Sequence, residues 1–488
     1  MSLSWWLLLP LGTALADDAR AHFTLQPRVV VDLAHDRPME DVGEAWTWMR
    51  AHATGPAKNG RWFLEVQADY VVLMGLHEDT DLEAATNLWM GESGWAGDLG
   101  PVFVRAGHLV ERWGALDLLP VTDTIGARDL RAGPLIPLEH ARVPAPMARL
   151  EVGEDKLRAS VLLLPFGTAS RVPLWGTDFS MLRQGMVEGL LADAATWSDD
   201  PILAQPYQRI FSGLEDGIAA LDAQTRRGLE GALAQTGTPR PLWEAGEVGA
   251  EVQSRLGPVD LALTGAWIRS RVPVPQLDPT LAQLVATQTL PAFSDIETAL
   301  GTVDSSALSS ERPRTLTAGL AAQTLVGAHG LRAEANYTHA AVIPMPWFDY
   351  AQSPQWTFGA AVDRATSTRF TVLLEGRWRH LTAPPPDALM VGLPDHLEVA
   401  GGIRATFARE RLSAELGTLV DLTFSEVAAQ PSLRYRASDT FDLGAGAVVF
   451  ASPTPAAVTW TDAMDYNGGL IGYSSDADAI WLDARWLR

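Results

Sequence analysis

The chain of 488 residues contains no cysteine. Disulfide bonds, thiolate metal sites and cysteine catalysis are therefore excluded. Positive charge is also scarce, because 37 lysines and arginines stand against 59 acidic residues, for a formal net charge of −22. This balance argues against non-specific binding to nucleic acid, which needs a positive surface. Tyrosine is rare, at 7 residues against 18 tryptophans. Tryptophan at strand ends suits the interfacial girdles of a membrane barrel, and the alternative is scattered core residues.

Long hydrophobic runs are missing as well. Beyond the N-terminus, no stretch reaches the roughly 18 uninterrupted apolar residues of a transmembrane helix. Residues 1–16 instead have a short apolar core from Trp5 to Leu11 and small residues before Asp17. They predict a secretory signal peptide cleaved after Ala16, although the usual basic residues at its start are absent. The remaining chain, 17–488, is predicted to be a single domain of an exported protein.

The stretch from Arg369 to Leu381 indicates the fold class of this domain. Its residues alternate, so that Phe370, Leu374 and Trp378 share one face and the charged residues share the other. A period of two indicates a β-strand. A length of about ten residues, an apolar face ending in an aromatic residue and a charged opposite face are typical of a transmembrane β-strand.

Similar segments recur along the chain and predict a transmembrane antiparallel β-barrel of about 18 strands, within a range of 16 to 18. Long gaps follow the predicted strands 5, 7, 9, 11, 13 and 17, whereas the even-numbered connections from the sixth strand onward are short turns. A soluble β-protein has no reason to sort its loops in this way. The longest predicted extracellular loops are 111–145, 166–242 and 270–313. Apolar residues at helical spacing in 206–235, and short segments near Thr280 and Phe293, predict helices within these loops.

Residues 105–131, RAGHLVERWGALDLLPVTDTIGARDLR, carry a more specific signal. They resemble a porin-like family of uncharacterised Gram-negative outer-membrane proteins related to alginate-export barrels. The matching positions are Trp113, Gly114, Asp117, Asp123, Arg128, Asp129 and Leu130. Further similarity extends the resemblance over about residues 80–180. It implies a barrel in the outer membrane of a Gram-negative bacterium, and it implies little about a substrate.

Catalytic and cofactor motifs are missing from the sequence. The ten histidines show no HExxH spacing, and neither a GxSxG elbow nor a phosphate-binding GxxxxGK[ST] loop occurs. We therefore expect no enzyme activity and no cofactor. Asp117, Asp123 and Asp129 are hard oxygen ligands that could bind Ca²⁺, but their spacing is not that of an EF-hand. The favoured interpretation is structural, with an ion pair between Arg128 and Asp129 that fixes the loop to the barrel wall.

The polar faces of the strands carry the functional hypothesis. From residue 369 onward the predicted inner face is rich in arginine, and the proposed pore-lining residues are Arg377, Arg379, Arg404, Arg434, Arg436 and Arg485. Charges inside a barrel need water or partners, because burying them alone is costly. They line a water-filled channel or form salt bridges that fill a closed barrel. If the acidic loop near residue 117 folds inward, it meets this basic wall across a constriction.

The expected function is passive diffusion of small hydrophilic solutes across the outer membrane. One alternative is specific export or uptake gated by the loops, and a second is a structural or surface-interaction barrel with a closed lumen. A strand begins soon after the predicted cleavage site and no TonB box is visible, which argues against energised uptake. The expected partners are outer-membrane lipid and lipopolysaccharide, small solutes and the barrel-insertion machinery, but not nucleic acid. The sequence does not determine the oligomeric state.

Overall fold

A computed structural model describes residues 20–32, 42–75, 83–131, 133, 140–154, 156–171, 245–277, 308–345, 349–367, 369–386, 388, 392–456 and 466–487. The predicted signal peptide and the predicted helices within 206–235 and near Thr280 and Phe293 lie outside these ranges. A search of the described ranges for a helix with the length and apolar character to cross a membrane found none.

The first half of the described chain forms strands β1 (Arg20–Asp32), β2 (Val42–Ala57), β3 (Gly60–Gly75), β4 (Glu83–Met90), β5 (Ser93–Leu99), β6 (Val102–Leu109), β7 (Ala127–Arg128), β8 (Arg142–Val143), β9 (Ala145–Glu154), β10 (Leu157–Leu164), β11 (Glu247–Leu256) and β12 (Val259–Arg269). The second half forms β13 (Val274–Leu277), β14 (Leu308–Glu311), β15 (Arg314–Val326), β16 (His329–Met345), β17 (Asp349–Ser367), β18 (Phe370–Leu381), β19 (Asp395–Phe407), β20 (Leu412–Asp421), β21 (Glu426–Ser438), β22 (Phe441–Ala451), helix α1 (Leu470–Tyr473) and β23 (Ala479–Leu487).

The strands close into an antiparallel barrel of 18 strands. Each wall strand pairs with its neighbours in sequence, and the ring closes because β1 pairs with β23, with Val30 opposite Trp481. Strands β4 and β5 both pair with β3 and count as one wall strand, interrupted between Met90 and Ser93. The pairs β7–β8 and β13–β14 form two separate small sheets. The predicted fold class is confirmed.

The side chains alternate as the sequence predicts. On β18, Phe370, Leu374 and Trp378 are 37%, 50% and 41% exposed on the outer face, while Glu375 on the opposite face is fully buried. The same alternation on the other wall strands gives the barrel an apolar exterior and a polar interior. This arrangement is the inverse of a water-soluble protein and suits a surface covered by lipid.

The connections also follow the predicted parity, with one correction. Long connections follow wall strands 5, 7, 9, 13 and 17, and the even-numbered connections are short turns. The predicted long gap after the eleventh strand is wrong, because β16 runs to Met345 and β17 begins at Asp349. A bulge between Thr338 and Ala341 interrupts the period of two at this point, so the sequence pattern ends before the strand does.

Candidate functional site: a loop inside the barrel

Residues 110–131, which we call the lumen loop, fold back into the barrel after β6. Trp113 is 1% exposed and packs in one cluster with Leu162 and Leu164 of β10 and Ile268 of β12. The loop lies so close to the wall that a Cβ atom at Gly249 of β11 would come within 2.7 Å of the Trp113 ring. The loop therefore covers the inner face of the wall.

Glu334 of β16 binds one half of the lumen loop. It is 4% exposed. Its carboxylate accepts hydrogen bonds from the backbone N–H groups of Ala115, Leu116 (2.7 Å), Val121 (3.0 Å) and Thr122 (2.8 Å). The Thr122 hydroxyl donates a further bond of 3.0 Å. Five donors around one carboxylate balance its buried charge without a cation.

Glu375 of β18 binds the next turn of the loop. Its two oxygens accept the backbone N–H groups of Asp117, Leu118 and Leu119, each at 2.8 Å. Successive N–H groups that point to one side form a concave anion site. The chain enters this turn at Gly114, whose positive φ of 91° favours glycine. Two wall carboxylates thus hold residues 115–122 inside the barrel.

The end of the lumen loop is fixed to the opposite sector of the wall. Arg131 lies 2.6 Å from both Asp129 in the loop and Asp69 on β3. Arg171 pairs with Asp129 at 3.2 Å and stacks over Trp89 of β4 at 4.2 Å. The burial of Asp129 alone would raise its pKa, but Arg131 and Arg171 hold that pKa below its usual value. This carboxylate therefore stays ionised and links the loop to two arginines.

The predicted ion pair between Arg128 and Asp129 is wrong. Arg128 lies 3.8 Å from Asp123, whereas Asp129 pairs with Arg131 and Arg171. Neighbouring residues of an extended segment point to opposite sides, and Arg128 ends the short strand β7. The loop is attached to the barrel wall as predicted, but through the pairs of Asp129 with Arg131 and Arg171.

The remaining acidic residues of the predicted loop motif are also paired with arginine. Asp117 contacts Arg112 and Arg332. Burial would raise the pKa of Asp117, and hydrogen bonds from these arginines lower it below its ordinary value. Asp123 pairs with Arg142 at 2.7 Å. In the ranges that the structure describes, no group of three or more histidine, cysteine, aspartate or glutamate residues is placed to hold a metal ion.

The six predicted pore-lining arginines lie on inward-facing positions of β18, β19, β21 and β23. Arg377 pairs with Glu398 at 2.6 Å, Arg404 with Glu415 at 3.2 Å and Arg434 with Asp483 at 3.2 Å. Arg436 lies 3.8 Å from Asp442, and Arg379 contacts the ring of His396. Arg485 lies on β23, opposite Asp442 of β22. The wall is therefore lined by ion pairs rather than by arginine alone.

The structure brings part of this wall to the lumen loop. Burial lowers the pKa of Arg128, and the nearby guanidinium groups of Arg142, Arg377 and Arg112 lower it further, against the opposing effect of Asp123. Arg128 of the loop thus lies within electrostatic range of Arg377 on β18. Contacts between the lumen loop and the other predicted pore-lining arginines are not observed in the described residues. Where the lumen loop approaches β18, the loop and the wall both carry arginine. The sequence instead predicts an acidic loop opposite a basic wall.

Exposure inside the barrel differs between its two ends. Near the short turns, the inward side chains of Arg404 and Arg436 are 62% and 58% exposed. Near the long connections, the side chains of Trp46, Trp48 and Trp481 on the inner face of the barrel are almost fully buried. The barrel is therefore open and charged at one end and more tightly filled toward the other.

Replacement of Trp113 by alanine should destabilise the barrel by about 3–5 kcal/mol, because it removes a buried aromatic side chain between loop and wall. Urea unfolding in lipid vesicles measures this loss. The matched control is Trp267→Ala, which changes an outward residue that is 43% exposed. Equal losses in the two variants would contradict the packing role of Trp113.

Comparison with known proteins gives structural similarities only. No family model and no curated protein matches the chain. OccAB1 of Acinetobacter baumannii is 9% identical, with a TM-score of 0.48 and 98% of each chain covered. OccK7 (OpdD) of Pseudomonas aeruginosa is 10% identical, with a TM-score of 0.46, over 97% of this chain and 99% of that one. A mutant of Rh. blastica porin is 11% identical, with a TM-score of 0.36, over 96% of this chain and all of that one. The relation to alginate-export barrels stays a prediction.

Proposed function

We propose that this protein is a porin-like channel of the Gram-negative outer membrane through which small hydrophilic solutes diffuse passively. The observation that carries the proposal is the lumen loop, which Glu334 and Glu375 hold inside an 18-stranded barrel. In this proposal the loop narrows the path through the barrel without closing it. Lipid and lipopolysaccharide around the apolar exterior, and the insertion machinery during assembly, are the partners that this location requires.

The charged interior supports a channel rather than an enzyme. The inward side chains of Arg404 and Glu415 are 62% and 48% exposed. An ion pair that is this exposed contributes little stability, so both charges need water around them. Fixed charges along a wet path select ions through their field. The arginines where Arg128 approaches Arg377 favour anions in the part of the path between the lumen loop and β18.

Neutralising Arg377, Arg379 and Arg404 together by glutamine is the test of this selectivity. We expect the preference for anions over cations to fall, because three positive charges leave the inner wall. Reversal potentials in planar bilayers under a salt gradient measure the change.

The matched control removes the same charge at or beside the short turns, in the exposed arginines Arg61, Arg409 and Arg411. These residues lie at the barrel rim, and their replacement by glutamine should affect selectivity much less. Unchanged conductance and selectivity in the inner-wall variant would rule out the proposed role of its arginines.

A closed structural barrel is the second candidate, and the buried Trp46, Trp48 and Trp481 favour it. These side chains occupy the interior near the long connections. Solute flux into liposomes that contain the purified protein separates the two functions. Swelling in small sugars or amino acids supports the channel, and tight liposomes support the closed barrel.

A further inference from the structure

Glu426, the first residue of β21, is a buried carboxylate with few partners. It is fully buried. Its Oε1 atom accepts hydrogen bonds from the Ser452 hydroxyl at 3.2 Å and from the backbone N–H of Gly469 at 2.7 Å. Its Oε2 atom has no hydrogen-bond partner among the described residues. One oxygen of a carboxylate removed from water is therefore unsatisfied.

Other buried carboxylates differ from Glu426. Within the described ranges, each has an arginine or histidine within 4.0 Å except Glu334 and Glu426. Glu334 compensates with five hydrogen-bond donors, whereas Glu426 has two. Burial of a charge without a counter-charge or several donors is strongly unfavourable. Glu426 is therefore left without a counter-charge among the described side chains.

The surroundings of Glu426 offer oxygen atoms. A Cβ atom at Gly469 would lie 2.5 Å from Glu426 Oε2 and 3.1 Å from Asp421 Oδ2, and one at Gly472 would lie 2.6 Å from the Ser452 hydroxyl. Oxygens of the Glu426, Asp421, Ser452 and Tyr466 side chains thus converge on these two glycines. The sequence between Arg436 and Arg485 contains no lysine or arginine but seven aspartates. The segment that folds onto Glu426 consequently brings negative charge and no positive side chain.

We propose that Glu426 is a ligand of a calcium ion bound where residues 466–478 meet the ends of β20 and β21. Calcium prefers carboxylate, hydroxyl and carbonyl oxygens in flexible geometry, with water completing the shell. Glu426 supplies the carboxylate, and the hydroxyls of Ser452 and Tyr466 lie beside it. Asp421 Oδ2, which also contacts His396 Nε2 at 2.6 Å, is a further carboxylate oxygen. The ion neutralises Glu426 and holds the last long connection against the barrel. The proposal does not depend on channel activity.

Terbium luminescence tests the site directly, because Tb³⁺ replaces Ca²⁺ and is excited by nearby aromatic rings. Tyr466 and Tyr473 pack edge to face beside the site, with their ring centroids 5.3 Å apart. We expect the purified full chain in detergent to bind TbCl₃ saturably, and CaCl₂ to displace it. Glu426→Gln should weaken binding by about tenfold or more, since it removes the charge of the ligand. Gly469→Ala is a second variant, since its Cβ would displace the Glu426 carboxylate.

The control is Glu415→Gln, which removes the same charge from an inward residue that is 48% exposed and paired with Arg404. It should bind terbium as the unmodified protein does. Absence of saturable terbium binding to the unmodified protein, or equal affinity in Glu426→Gln, would overturn the proposal. The first of these outcomes needs no variant, so a folding defect in Glu426→Gln leaves the test intact.

Discussion

Replacing Glu334 by alanine is expected to detach half of the lumen loop and to raise single-channel conductance severalfold. The substitution removes the acceptor of five hydrogen bonds from residues 115–122. A hydrogen bond to a charged group contributes about 1.5–3 kcal/mol, and a buried donor left without an acceptor adds its own cost. The freed N–H groups then gain by turning toward water, which moves the loop away from β16.

Planar-bilayer recordings measure this change as larger and noisier openings. The double variant Glu334→Ala with Glu375→Ala should open further, because Glu375 holds Asp117, Leu118 and Leu119 by separate hydrogen bonds. Each single variant leaves the other anchor in place. The double variant therefore separates release of the loop from a local rearrangement.

Glu415→Ala is the matched control for Glu334→Ala. Both changes remove a glutamate from an inward-facing position, but Glu415 contacts Arg404 and is 48% exposed. Its loss should alter conductance only slightly. If Glu334→Ala and Glu415→Ala conduct alike, the lumen loop does not set the width of the path.

The barrel could be predicted from the sequence because each wall strand repeats one local rule. Outward residues such as Leu374 and Trp378 are apolar, and inward residues such as Glu375 are polar, so the period of two survives along the strand. The rule fails at the bulge between Thr338 and Ala341, where one strand gains a residue relative to its partner. The wrongly predicted gap after the eleventh strand lies just beyond this bulge, where β16 continues to Met345 and β17 begins at Asp349.

The anchors of the lumen loop could not be predicted in the same way. Glu334 is more than two hundred residues from Leu116 in sequence, and the contact is made by backbone N–H groups that any residue type provides. In sequence, Glu334 and Glu375 are indistinguishable from other inward carboxylates. The residues of the recognised motif, Trp113 and Gly114 among them, do lie at the attachment points, as a buried ring and a positive-φ turn. Their partners depend on tertiary structure alone.

Glu111→Gln should remove a loss of stability that the unmodified protein shows as pH rises from about 4.5 to about 7. Burial raises the pKa of Glu111 from 4.5 to about 7, Arg149 opposes this increase, and Glu251 adds to it. The folded protein therefore keeps a proton that the unfolded chain has already released in this range. Stability falls with pH in that window, by about 3 kcal/mol at about 1.4 kcal/mol per pKa unit.

Urea unfolding in lipid vesicles at a series of pH values, for both proteins, measures this difference. Glutamine keeps the size of the side chain and cannot titrate, so the curve of the variant should be flatter between the two pKa values. Above about pH 7 the Glu111 carboxyl of the unmodified protein is ionised in both the folded and the unfolded state. The stability curves of the variant and of the unmodified protein should therefore run parallel there. Glu154→Gln, at an exposed turn, serves as the control and should follow the unmodified protein.

Parallel curves for Glu111→Gln and the unmodified protein across the whole range would show that Glu111 titrates equally in both states. Because Glu111 lies at the start of the lumen loop and contacts Arg149 of β9, a difference would place a proton-sensitive contact at the base of the loop.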